Sequence, residues 1–278
     1  MNSAAADAVL RSWPVDPWLC VGLLASAFVY LRGWLAFRRR DPERWPPSRL
    51  ACFLGGLLAI FLALASPLEA FAPFSLPAHM GQHLLLMMVA PPLLWLGWPL
   101  LPTVRGLPAV IRSVWLPPIL GNRTLRRIAG TLVHPPVAWG LFAVATWGWH
   151  SPPVYELALA DPTWHLVQHA SFFAAGLLFW FPVVRPYPYR AAWPRWWLLP
   201  YLLLADVSNT ALSALLVFSP RSLYPHYDAG PRLGSGSVLD EQAVAGVLMW
   251  VPGSIAYLVP LGIVGVQWLF GDTPVSPK

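Results

Sequence analysis

His79-Met80-Gly81-Gln82-His83-Leu84-Leu85-Leu86-Met87-Met88-Val89-Ala90 begins with a paired-histidine motif and runs on without a charged residue. The same His-x-x-Gln-His pattern returns at His165-Leu166-Val167-Gln168-His169, again at the head of an apolar run. Each run is long enough to cross a hydrocarbon core of about 30 Å, which takes about 20 helical residues. In a helix, residues four apart share a face, so each motif aims two imidazoles in one direction. Two such pairs facing one another supply the ligand count that copper or zinc requires.

The rest of the chain supports a membrane reading. Of 278 residues, 57% are hydrophobic and 11% charged, far from the balance of a water-soluble domain. Seven stretches reach spanning length: Trp18–Phe37, Leu50–Leu68, His79–Leu101, Val133–Trp149, His165–Val184, Trp196–Phe218 and Gln242–Phe270. The expected fold is therefore all-α, a single polytopic helical bundle of about seven transmembrane helices over residues 1–278. Pro91-Pro92 and Pro252 are expected to bend the third and seventh spans. The segment Leu107–Leu120 is too short to span and reads as interfacial or re-entrant. The loop Ser219–Leu239, with Pro, Gly and Ser, reads as flexible.

Basic residues set the expected orientation, because Lys and Arg collect in cytoplasmic loops. Of 18, only Arg11, Arg221 and Arg232 fall on one side; the others follow spans one, three and five or sit at Lys278. The N-terminus is thus expected outside and the C-terminus inside, with the first helix kept as an uncleaved anchor. The arginines lie in short linkers and form no continuous basic surface, which argues against nucleic acid. Cys20 and Cys52 fall near opposite ends of neighbouring spans, too far apart for a disulfide.

This topology gathers His79, His83, His150, His165 and His169 at one outer rim, five of the seven histidines. An accessible, exchangeable metal site at the bilayer edge is the expectation. Met80 and Met87 are possible auxiliary thioether ligands, which would favour Cu(I), though Met is also an ordinary core filler. A zinc hydrolase is disfavoured, since Met80 and Leu166 stand where a metalloprotease helix carries its general base. Gln82 and Gln168 read either as hydrogen-bonders that orient an imidazole or as helix–helix contacts. Asp206, the one acid within a span, with Asn209 a turn away, reads as a proton or ion relay or as a structural clasp. Asp240, Glu241 and Gln242 either cap the last span or complete the histidine cluster.

The motif run from His79 to Leu86, then Pro91-Pro92-Leu93-Leu94, Leu96-Gly97, Trp149-His150-Ser151-Pro152 with Tyr155, and His165–His169 followed by Phe172-Phe173 resembles the caa3-type cytochrome c oxidase assembly factors, the CtaG family. The resemblance implies a seven-helix protein of the bacterial plasma (inner) membrane. It also implies a partnership with haem-copper oxidase subunits and a copper-linked, non-enzymatic role with no catalytic residue. Three other readings stay open on the residues themselves. They are a haem-binding electron-transfer protein, a copper or proton transporter using Asp206, and a metal-free assembly scaffold.

Overall fold

The computed structural model describes residues 7, 11–189, 193–229 and 236–270, which are helical and contain no strand. Arg190, Arg232 and Lys278, used above for orientation, lie outside these residues. The principal helices are α1 (Pro17–Arg38), α2 (Pro47–Ala65), α3 (Leu76–Leu84), α4 (Ala90–Leu96), α5 (Leu100–Gly106), α6 (Leu116–Gly121), α7 (Arg123–Leu132), α8 (Pro135–His150), α9 (Pro152–Ala160), α10 (Pro162–Val184), α11 (Leu198–Phe218) and α12 (Val238–Phe270). Among the described residues, five helices are long and apolar enough to cross a membrane alone, and seven spans result if each of two bent pairs counts as one. The protein is a multi-pass membrane protein.

A chain with 32 prolines can still be helical because many of them occupy helix starts. Pro17, Pro47, Pro135, Pro152 and Pro162 open α1, α2, α8, α9 and α10, where the missing N–H has no intrahelical acceptor to lose.

The third span departs from expectation in where it bends. At Pro91-Pro92 the helix does not break; it widens into a π turn over Leu85–Val89 between α3 and α4. Neither proline brings an N–H to the carbonyls of the preceding turn. Trp180 on α10 donates its indole N–H to Met87 O at 2.9 Å instead. The 71° bend falls later, between α4 and α5, at Gly97-Trp98-Pro99. Trp98 adopts the left-handed region with φ 51°. Tyr30 donates to Gly97 O at 2.6 Å, Arg49 donates to Leu96 O at 2.8 Å, and the Arg49 guanidinium lies 3.6 Å over the Trp98 ring, so α1 and α2 fix this corner. The seventh span, α12, runs unbroken through Pro252 and Pro260.

Close helix approaches depend on glycine, as is common where helices pack in a bilayer. A Cβ on Gly33 would lie 1.8 Å from Pro102 O, and one on Gly106 would lie 1.8 Å from Val29 O, so α5 folds back against α1 backbone to backbone. At the centre, Gly176 of α10 rests on Met87 and Pro91, where a Cβ would come within 3.0 Å of Met87 O. Cys20 and Cys52 are free thiols, as expected.

Candidate metal centre

Two capped helices and one helix end bring the imidazoles together. Ser75 Oγ accepts from Ala78 N at the head of α3, which carries His79 and His83. Asp161 Oδ1 accepts from Thr163 N at 2.7 Å and Trp164 N at 3.3 Å at the head of α10, which carries His165 and His169. Those amide bonds favour the charged carboxylate and hold the Asp161 pKa below its ordinary value. His150 closes α8. Because Gly176 admits α10 onto the π turn, the two histidine pairs meet.

Ring centroids stand 4.4 Å apart for His79–His83, 4.2 Å for His165–His169, 5.1 Å for His79–His165, 5.6 Å for His83–His169 and 5.9 Å for His83–His150. Nitrogens of His79, His83 and His169 all lie within 4.8 Å of one another. A tetrahedral ion with bonds of about 2.1 Å sets its ligand atoms about 3.4 Å apart, so ion binding has to draw these rings inward.

The hydrogen bonds decide which nitrogens keep lone pairs. His150 Nδ1 lies 2.7 Å from Thr146 O, and a carbonyl only accepts, so Nδ1 carries the proton and Nε2 the lone pair. Tyr227 donates its hydroxyl to Ala72 O at 2.9 Å, so it offers an oxygen lone pair to His79 Nδ1 at 3.1 Å. Tyr155 Oη, 2.9 Å from the same Nδ1, completes the arrangement. In the Nδ1–H tautomer both phenol oxygens accept from His79, and Nε2 keeps a lone pair able to coordinate. Among the described residues, the buried Nε2 atoms of His79, His150, His165 and His169, and both ring nitrogens of His83, have no hydrogen-bond partner. Burying so many unpaired polar atoms is unfavourable without a ligand to receive them.

The cluster is enclosed, which corrects the expectation of an open rim. His79, His83, His150 and His169 are at most 5% exposed, and only His165 is partly open. Phe172 forms the floor, its ring 4.5 Å from His83. Three tyrosines form the roof: Tyr155 stacks on Tyr224 at 4.0 Å, and Tyr224 donates to His150 O at 3.0 Å, while Tyr227 and Tyr155 both reach His79. Burial raises the pKa of each of these phenols, so they keep their protons.

Over residues 219–229 and 236–239 the roof also corrects the flexible-loop expectation, while residues 230–235 of that stretch lie outside the described residues. After α11 the chain is pinned at Leu223 N to Gln242 Oε1 (2.8 Å), at His226 N to Glu156 Oε1 (3.2 Å) and by His226 Nε2 donating to Pro73 O (3.1 Å). Gln242 thus holds the roof segment and is not part of the histidine cluster, while Asp240 accepts from Ser237 at the head of α12.

The remaining candidates separate clearly. Met80 packs with Leu76, Leu212 and Tyr155, and Met87 with Phe142 and Phe172, so both fill apolar core beside the cluster. Gln82 donates to Ala63 O (2.7 Å) and to Glu69 Oε2 (2.6 Å), the helix–helix alternative. Gln168 is fully buried beside His79, with neither amide atom in a well-formed hydrogen bond. Asn209 donates to Met249 O at 3.1 Å and packs on Gly253, clasping α11 to α12. Asp206 is half-buried, with one carboxylate oxygen unpartnered among the described residues. Tyr224 and Tyr227 were not anticipated, although the density of aromatics in Tyr224-Pro225-His226-Tyr227 within a Gly- and Pro-bearing loop was a signal.

Uncharacterised proteins of Mycobacterium bovis and Mycobacterium tuberculosis are each 24% identical to the chain over 97% of its length, and one of Mycobacterium leprae is 21% identical over 96%. The chain spans 41% of the length of each of these relatives. No solved structure matches it. The model of the cytochrome c oxidase caa3 assembly factor family matches residues 28–270, from within α1 to the end of α12, and the chain belongs to that family.

Proposed function

We propose that this protein binds copper as cargo at His79, His83 and His169, flanked by His150 and His165, and passes it to a haem-copper oxidase subunit during assembly. One observation carries the reading: buried imidazole nitrogens from two helices, with His150 of a third beside them, converge without hydrogen-bond partners among the described residues. An all-imidazole set suits copper and zinc alike, the family's link to a haem-copper oxidase favours copper, and exchange among more than four imidazoles provides steps for release. Tyr155 and Tyr227 hold His79 in its coordinating tautomer; Thr146 O does the same for His150. Handover requires the tyrosine roof to lift. The site would face the outer side of the bacterial plasma membrane, since the arginine-rich linkers follow the opposite ends of the spans. No chemical conversion is assigned to it.

The test is metal content and copper affinity of the detergent-purified protein beside a variant with His79, His83, His165 and His169 all changed to Ala. Near-stoichiometric copper, lost in a variant that keeps its helical content, supports the reading. Absence of copper binding by the intact protein under both reducing and oxidising loading replaces it with a metal-free scaffold.

A further inference from the structure

Between α5 and α8 lies a segment that folds without burying itself. Of residues 108–131, only Arg112 and Leu116 are even partly buried, yet the segment forms a π turn over Ile111–Trp115, then α6 and α7. Helices of this length are marginal in water and need an apolar surface to settle on. Their side chains describe that surface. On α7, Leu125, Ile128, Ala129 and Leu132 line one face, while Arg123, Arg126 and Arg127 line the opposite one. Asn122 Oδ1 caps the helix at Thr124 N and Leu125 N. Val114, Trp115, Ile119 and Leu120 add further exposed apolar area.

Geometry and charge identify the partner. α7 meets α8 at 67°, so when α8 crosses the bilayer α7 lies nearer to its plane. No Asp or Glu occurs between Glu69 and Glu156, whereas Arg105, Arg112, Arg123, Arg126 and Arg127 all fall in that interval. Among the described residues none of these guanidinium groups makes an ion pair. An apolar face backed by unneutralised arginines matches a membrane surface rich in anionic headgroups.

We propose that residues 107–132 form an interfacial strap that binds anionic phospholipid, with Leu125, Ile128 and Leu132 in the acyl boundary and Arg123, Arg126 and Arg127 on headgroup phosphates. Trp115 sits at the same interface as an anchor.

The test is amide hydrogen exchange of the full chain in lipid nanodiscs of phosphatidylcholine alone or with about one third phosphatidylglycerol. Exchange across α7 is expected to slow about tenfold or more in the anionic discs. The triple substitution Arg123→Gln, Arg126→Gln, Arg127→Gln removes the difference, and the corresponding Lys triple retains it, because the interaction reads charge. Equal exchange in the two lipids overturns the proposal. So does a difference that survives the Gln triple, or protection gained only when oxidase subunits are added, which assigns the face to a protein partner.

Discussion

Trp180 donates its indole N–H to the main-chain carbonyl of Met87, the acceptor that the proline pair four and five residues later leaves without a helical donor. One side chain of α10 thus completes the backbone of the helix carrying His79 and His83. Trp180→Phe keeps the ring and deletes the donor. It is expected to destabilise the bundle by about 1–3 kcal/mol, the penalty for leaving a buried carbonyl unpaired. Thermal unfolding in detergent measures this; an unchanged midpoint would show that the carbonyl finds another partner.

The tyrosine roof should tune the site as well as cover it. Tyr227→Phe and Tyr155→Phe each remove an oxygen that His79 Nδ1 reaches, and loss of such an orienting partner typically lowers metal affinity about 10–100-fold. Tyr224→Phe removes only a bond to the His150 main chain and should have the smaller effect. Chelator competition on the three variants ranks them, and equal affinities would dissociate the roof from the metal.

Glycines within one helix should respond oppositely. On α1, Gly22 has nothing within 4 Å of an added Cβ, so Gly22→Ala should be neutral or stabilise by up to about 1 kcal/mol through helix propensity. Gly33→Ala drives a methyl into Pro102 O and should separate α1 from α5, destabilising by about 1–3 kcal/mol or more. Comparable midpoints for the two variants would mean that α5 does not pack there in the membrane.

Asp161 provides a pH signature. Its carboxyl is depressed in the folded state by the Thr163 and Trp164 amides. Its stabilising effect is therefore complete above the ordinary carboxylate value of about 3.9 and disappears as pH falls through the lower folded value. The difference in unfolding midpoint between the parent and Asp161→Ala should hold steady from neutral pH to about 5 and shrink towards pH 3. A gap that widens on acidification would contradict the cap.

Much of this was legible in the sequence because the signals are local. Seven apolar runs give the spans, and the i, i+4 spacing of His79 with His83 and of His165 with His169 gives two convergent pairs. What escaped depends on contacts between distant residues. Tyr227 meets Ala72 and His79 across 155 and 148 positions, and the aromatics around Tyr227 signal burial without naming the partners its loop folds onto. The bend of span three was misplaced for a similar reason. Prolines 91 and 92 read as the site of a bend, but Trp180, 93 residues beyond Met87, supplies the missing hydrogen bond, and the corner moves to Gly97. Gln82 and Gln168 occupy equivalent places in one motif yet differ in role, because Glu69 and Ala63 stand beside only the first.

If the centre carries copper as proposed, the roof of Tyr155, Tyr224 and Tyr227 would separate how tightly it holds an ion from how long it keeps one. With the imidazoles walled in on all sides but His165, departure would then be timed by the lifting of a hydrogen-bonded segment anchored at Pro73, Glu156 and Gln242. A partner that competes for those three anchors would shorten the dwell time of the cargo without touching a single ligand, so that timing, and not strength of coordination, becomes the quantity set by contact with a client.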